Sequence, residues 1–160
     1  MLVNRTAALA VLLFLVACGC SAESVPDGLP DLYPTTLTIH QSGSPLVGAS
    51  VQLIATDPVL GKWVSGGSTN AKGEVVVMTH GNFEGAPAGK FKVTVNKTQT
   101  EGQVAGNDPG VSSPVKMYDL VDAKFRSVTT TPVEVEITAG ENKPNVIDVG
   151  AAVKDAAAEL

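Results

Sequence analysis

From residue 35 onward, the chain alternates apolar and polar positions in short runs that are separated by turn-forming residues. A period of two predicts β-strands that present one face to a core, and no stretch has a convincing helical period. The cleanest runs are 90–95 and 133–138, in which every second residue is Val, Ile or Phe. The predicted strands are 36–41, 50–56, 63–69, 74–79, 90–95, 133–138 and 145–149. Seven strands at this spacing predict an all-β fold, and specifically a seven-stranded Greek-key β-sandwich.

Two of these strands have unusual compositions. Residues 74–79 form a nearly continuous apolar run, which predicts a central strand that is covered on both faces. The run 63–69 contains Gly66 and Gly67, and this pair indicates a bulge or an edge strand. Gly48 and Gly73 stand at turn positions, where we expect a positive φ.

The N-terminal segment has a different pattern. Residues 7–16 form an unbroken apolar run of ten residues that follows a short, weakly basic start containing Arg5. As a helix this run would extend about 15 Å, roughly half of a bilayer core, so it predicts a signal peptide and not a membrane span. We assign residues 1–17 to the signal peptide and 18–32, rich in Ser, Gly, Pro and acids, to a flexible tether.

The residues at the end of the apolar run, Leu-Val-Ala-Cys at 15–18, resemble the lipobox of bacterial lipoproteins. The resemblance implies transfer of lipid to the Cys18 thiol, cleavage before Cys18 and attachment to the cell envelope through the lipid. Because no Asp follows Cys18 directly, the outer membrane or cell surface is favoured. One alternative is ordinary signal cleavage, for example after Ala22. A second is acylation of Cys20, which would put Ala17 at the position of the lipobox leucine.

Three further runs resemble the carboxypeptidase-regulatory-like (transthyretin-like) domains. SPLVGASVQL at 44–53 is similar to their opening G-x-P-L-x-G-A-x-V-x-L, GSTNAKGEV at 67–75 to their hairpin G-x-T-D-x-x-G-x-F, and GAPAGKFKVTV at 85–95 to their strand A-P-x-G-x-Y-x-V-x-V. The resemblance implies a transthyretin-like sandwich. It implies no peptidase activity, because the zinc site of the enzymatic members lies in a separate catalytic domain. The run 130–142 also resembles small lipoproteins of planctomycete-type bacteria.

Charge and candidate chemistry narrow the classes of function. The formal net charge is −5, and removal of Arg5 with the signal peptide would leave ten basic against sixteen acidic residues. An acidic domain repels nucleic acid, so we predict no such partner. His40 and His80 lie in no metal-binding motif, and no serine lies in a nucleophile motif. We therefore predict a protein that is not an enzyme and that has no metal or cofactor.

The segment 97–131 is a long insertion that a minimal sandwich does not need, and loops of this length are often functional. Its second half is predicted to form a short helix or an extra strand. If the protein binds a partner, Tyr118, Leu120 and Phe125 are the predicted contacts; the alternative is that they cap the core. The domain is assigned to 33–150 and is followed by an Ala-rich tail at 151–160, which is predicted to form a frayed helix.

Two classes of function agree with these observations. The first is a membrane-tethered β-sandwich module without enzymatic activity, which has a structural role or binds a protein or glycan of the envelope. The second is a ligand carrier or weak enzyme that uses the 97–131 loop. The oligomeric state is not predicted from the sequence.

Overall fold

The structure is a computed structural model that describes residues 25–102 and 115–157. Over these residues the protein is mostly β, with strand pairs that are antiparallel except for one, and it has one helix of a single turn. In chain order the strands are β1 (Leu32–Tyr33), β2 (Thr36–Gln41), β3 (Ser44–Pro45), β4 (Ser50–Ala55), β5 (Ser65–Ser68), β6 (Glu74–Val76), β7 (Met78–Thr79), β8 (Phe83–Glu84), β9 (Ala86–Pro87), β10 (Gly89–Asn96), β11 (Thr98–Glu101), β12 (Lys116–Asp119), β13 (Glu134–Ile137), β14 (Asn145–Asp148) and β15 (Asp155–Ala156), with helix α1 (Ala123–Arg126) between β12 and β13.

Two sheets supply most of the core. The larger has six strands in the order β13-β10-β4-β5-β7-β8, and all of its pairs are antiparallel. The smaller has four strands, with β2 between β14 and the strands β3 and β6. A three-stranded sheet, β11-β12-β15, and the pair β1-β9 complete the described β-structure.

The inward faces of the two larger sheets share one hydrophobic cluster, as the alternating pattern predicted. Strands β2, β4 and β13 bury alternate residues, and β10 buries Phe91, Val93 and Val95 together with Thr94. The cluster includes Leu37, Ile39, Val51, Leu53, Val75, Val77, Phe91, Val93, Val95, Val135, Ile137, Ile147 and Val149.

The run 74–79 is not one central strand, and that prediction is wrong. It breaks at Val77: β6 pairs with β2 in the smaller sheet, whereas β7 pairs with β5 in the larger sheet. Val77 is fully buried between them, and its backbone bonds Thr35 and Gly85. Val76 is 49% exposed, so the apolar run is not covered on both faces.

The glycines have different roles. Gly48 and Gly73 adopt the positive φ that their turns predicted, at 68° and 76°. The edge-strand interpretation of 66–67 is wrong, because β5 lies between β4 and β7. A Cβ on Gly67 would lie 2.7 Å from Val75 Cγ2, so a glycine is needed there for close packing.

The 97–131 insertion contains regular structure in its described part. Strands β11 and β12 are paired: Thr98 lies opposite Asp119 at one end, and Glu101 lies opposite Lys116 at the other. Residues 103–114 between these strands lie outside the described residues. Helix α1 follows, so the prediction of a helix or an extra strand is confirmed with both present. The predicted C-terminal helix is wrong over the described tail, because Asp155 and Ala156 form a strand against β12.

Candidate interaction surfaces

The sequence-predicted contact Tyr118 lies on the small three-stranded sheet, and Leu120 directly follows the middle strand of that sheet. Tyr118 is in the middle strand, β12, and is half-buried between Gln99 of β11 and Ala156 of β15. Leu120 is also half-buried, and its backbone carbonyl accepts hydrogen bonds from the Gln41 side chain at 2.8 Å and from the Val153 amide at 3.3 Å. These bonds join the small sheet to β2 and to the C-terminal segment.

Phe125 occupies a different environment. Its side chain is 6% exposed and belongs to the hydrophobic cluster, beside Val121, which is fully buried. Asp122 caps the helix by accepting from the Lys124 amide, which places the ring toward the core. In the folded domain Phe125 therefore caps the core, the alternative that its sequence position left open, while Tyr118 and Leu120 retain partial exposure.

A salt-bridge network joins the small sheet, the helix and the C-terminal strand. Arg126 bonds Asp119, whose side chain is largely buried, and its second terminal nitrogen lies 3.8 Å from the carboxylate of Asp155 on β15. The Nε of Arg126 is buried without a hydrogen-bond partner in the described part of the chain. One arginine is thus shared by two carboxylates, and the network connects β12, α1 and β15.

Lys154 covers the exposed side of the same sheet. Its ammonium group donates to Glu101 at 2.6 Å and lies 4.5 Å from the centroid of the Tyr118 ring. The hydrogen bond to Glu101 raises the pKa of Lys154 above its ordinary value. A partner that contacts Tyr118 would therefore have to approach past Lys154 or displace it.

A second surface, which the sequence did not indicate, lies on the outer face of the six-stranded sheet. An open groove of about 450 Å³ follows strands β4, β5 and β7. Gly66 and Gly67 contribute its floor, and the side chains around it come from Ser50, Gln52, Val64, Ser68, Met78 and His80. We call this feature the Gly66 groove. The only signal for it in the sequence was the glycine pair itself, and that signal was ambiguous.

His80 lies at one end of the Gly66 groove in a constrained conformation. It has a φ of 53°, its amide donates to Val64 O at 2.8 Å, and Gly81 after it has a φ of 78°. Its ring packs edge-to-face on Trp63, with 5.2 Å between the ring centroids. Trp63 is 7% exposed, so the imidazole forms the accessible edge of this aromatic pair.

The second histidine, His40, lies on the outer face of the other large sheet, so the two histidines are not brought together. Opposite His40 in the register, Asp148 accepts hydrogen bonds from the amides of Gly43 at 2.8 Å and Gly150 at 2.7 Å. The bonds from Gly150 and Gly43 hold the pKa of Asp148 below its ordinary value. No group of three metal-ligating side chains occurs within 25–102 and 115–157.

Comparison with protein-family models, with curated proteins and with solved structures gave no match for this chain. Cys18, the predicted lipidation site, lies outside the described residues. Among the residues that the structure does describe, no helix is both long enough and apolar enough to cross a bilayer.

Proposed function

We propose that this protein is a cell-envelope lipoprotein without enzymatic activity, in which lipid on Cys18 tethers a β-sandwich module to the membrane. The observation that carries the proposal is the order of three features: the basic start, the ten-residue apolar run at 7–16 and the Leu-Val-Ala-Cys pattern at 15–18. Two or three acyl chains contribute about 0.8 kcal/mol per buried methylene, which is ample for stable anchoring. The outer membrane or cell surface is the favoured location.

The module is proposed to be a transthyretin-like Greek-key sandwich. Two sheets with a shared core support this proposal, and so does the placement of the three family-like runs. The run 44–53 spans the turn from β3 into β4, 67–75 spans the turn by which the chain passes from β5 in one sheet to β6 in the other, and 85–95 spans β9 and β10. The parallel pairing of β14 with β2 is a specific feature of this chain within that architecture.

The role of the module is proposed to be contact with an envelope protein or glycan. The partial exposure of Tyr118, on the three-stranded sheet, and of Leu120, which follows it, supports a contact through that surface. The net negative charge does not favour nucleic acid or anionic headgroups, so the attachment to the membrane depends on the lipid.

The anchor is tested by replacing each of the two cysteines separately, since Cys20 is a matched control two residues from Cys18. The wild-type chain and Cys20→Ser should incorporate labelled palmitate and sediment with membranes, whereas Cys18→Ser should do neither. Mass spectrometry of the mature protein should find an acylated N-terminal residue 18. An unmodified N-terminus at residue 23, or membrane retention of Cys18→Ser, would contradict the proposal.

A further inference from the structure

The Gly66 groove results from the register of the six-stranded sheet. One row of paired positions runs across it through Thr94, Gln52, Gly66, Met78 and Glu84. Four of these five positions carry a side chain, and the central one does not. The groove lies over this glycine, between Gln52 and Met78.

The rows on either side also line the groove. On one side, Ser50 pairs with Ser68, and both side chains are exposed. On the other side, the His80 amide bonds Val64 O, which brings Val64 and His80 next to each other. Gly66 cannot be enlarged without a shift of the backbone, because an added Cβ would collide with the carbonyl oxygen of Val51.

The groove presents hydrogen-bonding groups that the protein itself does not use. Within the described residues, no hydrogen bond engages the side chains of Ser50, Gln52 or Ser68. On the opposite face of the same strands, by contrast, Ser65 bonds Thr79 at 2.9 Å, and Thr79 donates to Gly85 O at 2.7 Å. The inward hydroxyl groups are satisfied, and the outward ones face the groove.

The lining of the groove carries no carboxylate, ammonium or guanidinium group, although the protein as a whole is acidic. Charged side chains lie beyond this lining: Glu84 follows Met78 in the central row, Lys92 is in a neighbouring row, and the Lys62 ammonium lies 4.9 Å from the centroid of the Trp63 ring. A groove of hydroxyl and amide groups with apolar patches from Val64 and Met78 matches a ligand that is uncharged and amphipathic, with many hydroxyl groups.

His80 adds a ring at the end of the groove. It occupies a left-handed turn position that Asn or Gly fills most readily, so the fold does not require an imidazole there. Its contact with Trp63 holds the ring in place, and one edge is left accessible. A ring of this kind can pack against the face of a sugar and also donate or accept a hydrogen bond.

We propose that the Gly66 groove binds an uncharged oligosaccharide, with Gln52, Ser50 and Ser68 bonding its hydroxyl groups and His80 packing against one sugar ring. This inference goes beyond the proposed function, because it assigns a glycan to the outer face of the six-stranded sheet, a site separate from the Tyr118 and Leu120 surface. It does not depend on the anchor: if Cys18 proves not to be acylated, the groove can still be tested on the same chain.

The test uses the full mature chain in a zwitterionic detergent without a sugar headgroup. The probes are tetramers of N-acetylglucosamine and of glucose, with a tetramer of galacturonic acid as the anionic comparison. Calorimetry measures the affinity. Trp63 is the only tryptophan of the chain and contacts His80, so its emission reports occupancy of the groove. We expect saturable binding of at least one neutral tetramer with a change in this emission, and weaker binding of the anionic one.

Two variants locate the site. His80→Asn keeps a residue suited to the left-handed turn, and we expect it to raise the dissociation constant about tenfold, the effect of losing one good contact. Gln99→Ala removes an exposed amide on β11, outside the groove, and should leave the affinity unchanged. Thermal unfolding of both variants shows that the fold is retained.

Several results would overturn the inference. These are an absence of heat and emission change with both neutral tetramers, equal binding of the anionic tetramer, or wild-type affinity in His80→Asn. If the protein self-associates and His80→Asn abolishes this association, the groove is a contact between two copies of the chain. That result would likewise refute the proposal that the groove binds a glycan.

Discussion

Replacement of Phe125 by Ala distinguishes a core-capping role from a partner-contact role. The ring is 6% exposed, lies in the hydrophobic cluster and is attached to a helix of one turn. So short a helix is not stable by itself, and the packing of this ring holds it against the domain. The substitution should therefore destabilise the whole domain and detach α1 from β10.

The magnitude follows from the burial of the ring. Removal of a fully buried Phe side chain costs about 3–5 kcal/mol in unfolding free energy. Phe125 is at the margin of the core, where the Lys124 ammonium lies 5.0 Å from the ring centroid, so we expect the lower end, about 3 kcal/mol. At about 3 °C per kcal/mol for a chain of this size, the melting temperature should fall by about 10 °C.

The assay is thermal and urea unfolding of the wild type, Phe125→Ala and Tyr118→Ala. Tyr118 is the control because it is half-buried and its contact with Lys154 is exposed, so its loss should cost no more than about 1 kcal/mol. A Phe125→Ala protein that unfolds within about 0.5 kcal/mol of the wild type, the usual range for surface positions, would refute the assignment of this ring to the core.

Three other predictions concern single interactions. Gly73→Ala should lower the free energy of unfolding by about 2 kcal/mol or more, because φ is left-handed there and the added Cβ would lie 2.5 Å from a backbone oxygen of β2. Gly43 has a similar φ but open space around it, so Gly43→Ala should cost only about 1 kcal/mol in the same urea experiment. Asp119→Ala should cost about 2 kcal/mol, because it removes the closer and more buried partner of Arg126 and leaves only the exposed Asp155 at 3.8 Å. Asp155→Ala should cost about 0.5 kcal/mol or less, and equal effects of the two substitutions in chemical unfolding would contradict this ranking. The pKa of Asp148 is lowered in the folded state, so its stabilising contribution is present above its unfolded pKa of about 3.9 and is lost as the pH falls through the still lower folded pKa. The difference in melting temperature between the wild type and Asp148→Asn should therefore shrink at low pH. A difference that does not depend on pH would show that the carboxylate charge contributes nothing.

The positions of the main strands could be predicted because the signal is local. In β10 and β13, alternate residues must enter the core, and a period of two records that requirement directly in the chain. The turn glycines Gly48 and Gly73 were predictable for a similar reason, since their φ values are imposed by adjacent residues. Strands β11 and β12 were harder to assign, because they are largely exposed and have no alternation of this kind.

The candidate sites depend on contacts between distant parts of the chain. Phe125 and Tyr118 are both aromatic residues of one segment, and only the packing of α1 separates a core side chain from a half-exposed one. The Gly66 groove exists because the register aligns Gly66 with Gln52 on one side and with Met78 on the other. No local pattern encodes that alignment.

The sequence by itself determined the all-β class, the main strand positions and the lipobox-like pattern at residues 15–18, since each depends on residue types at short spacing. The tertiary structure decided the break at Val77, because Val75, Val76 and Val77 are equally apolar and only the divergence of two sheets separates them. It also decided that the C-terminal tail pairs as a strand with β12, since a short Ala-rich segment adopts the structure that its partner offers.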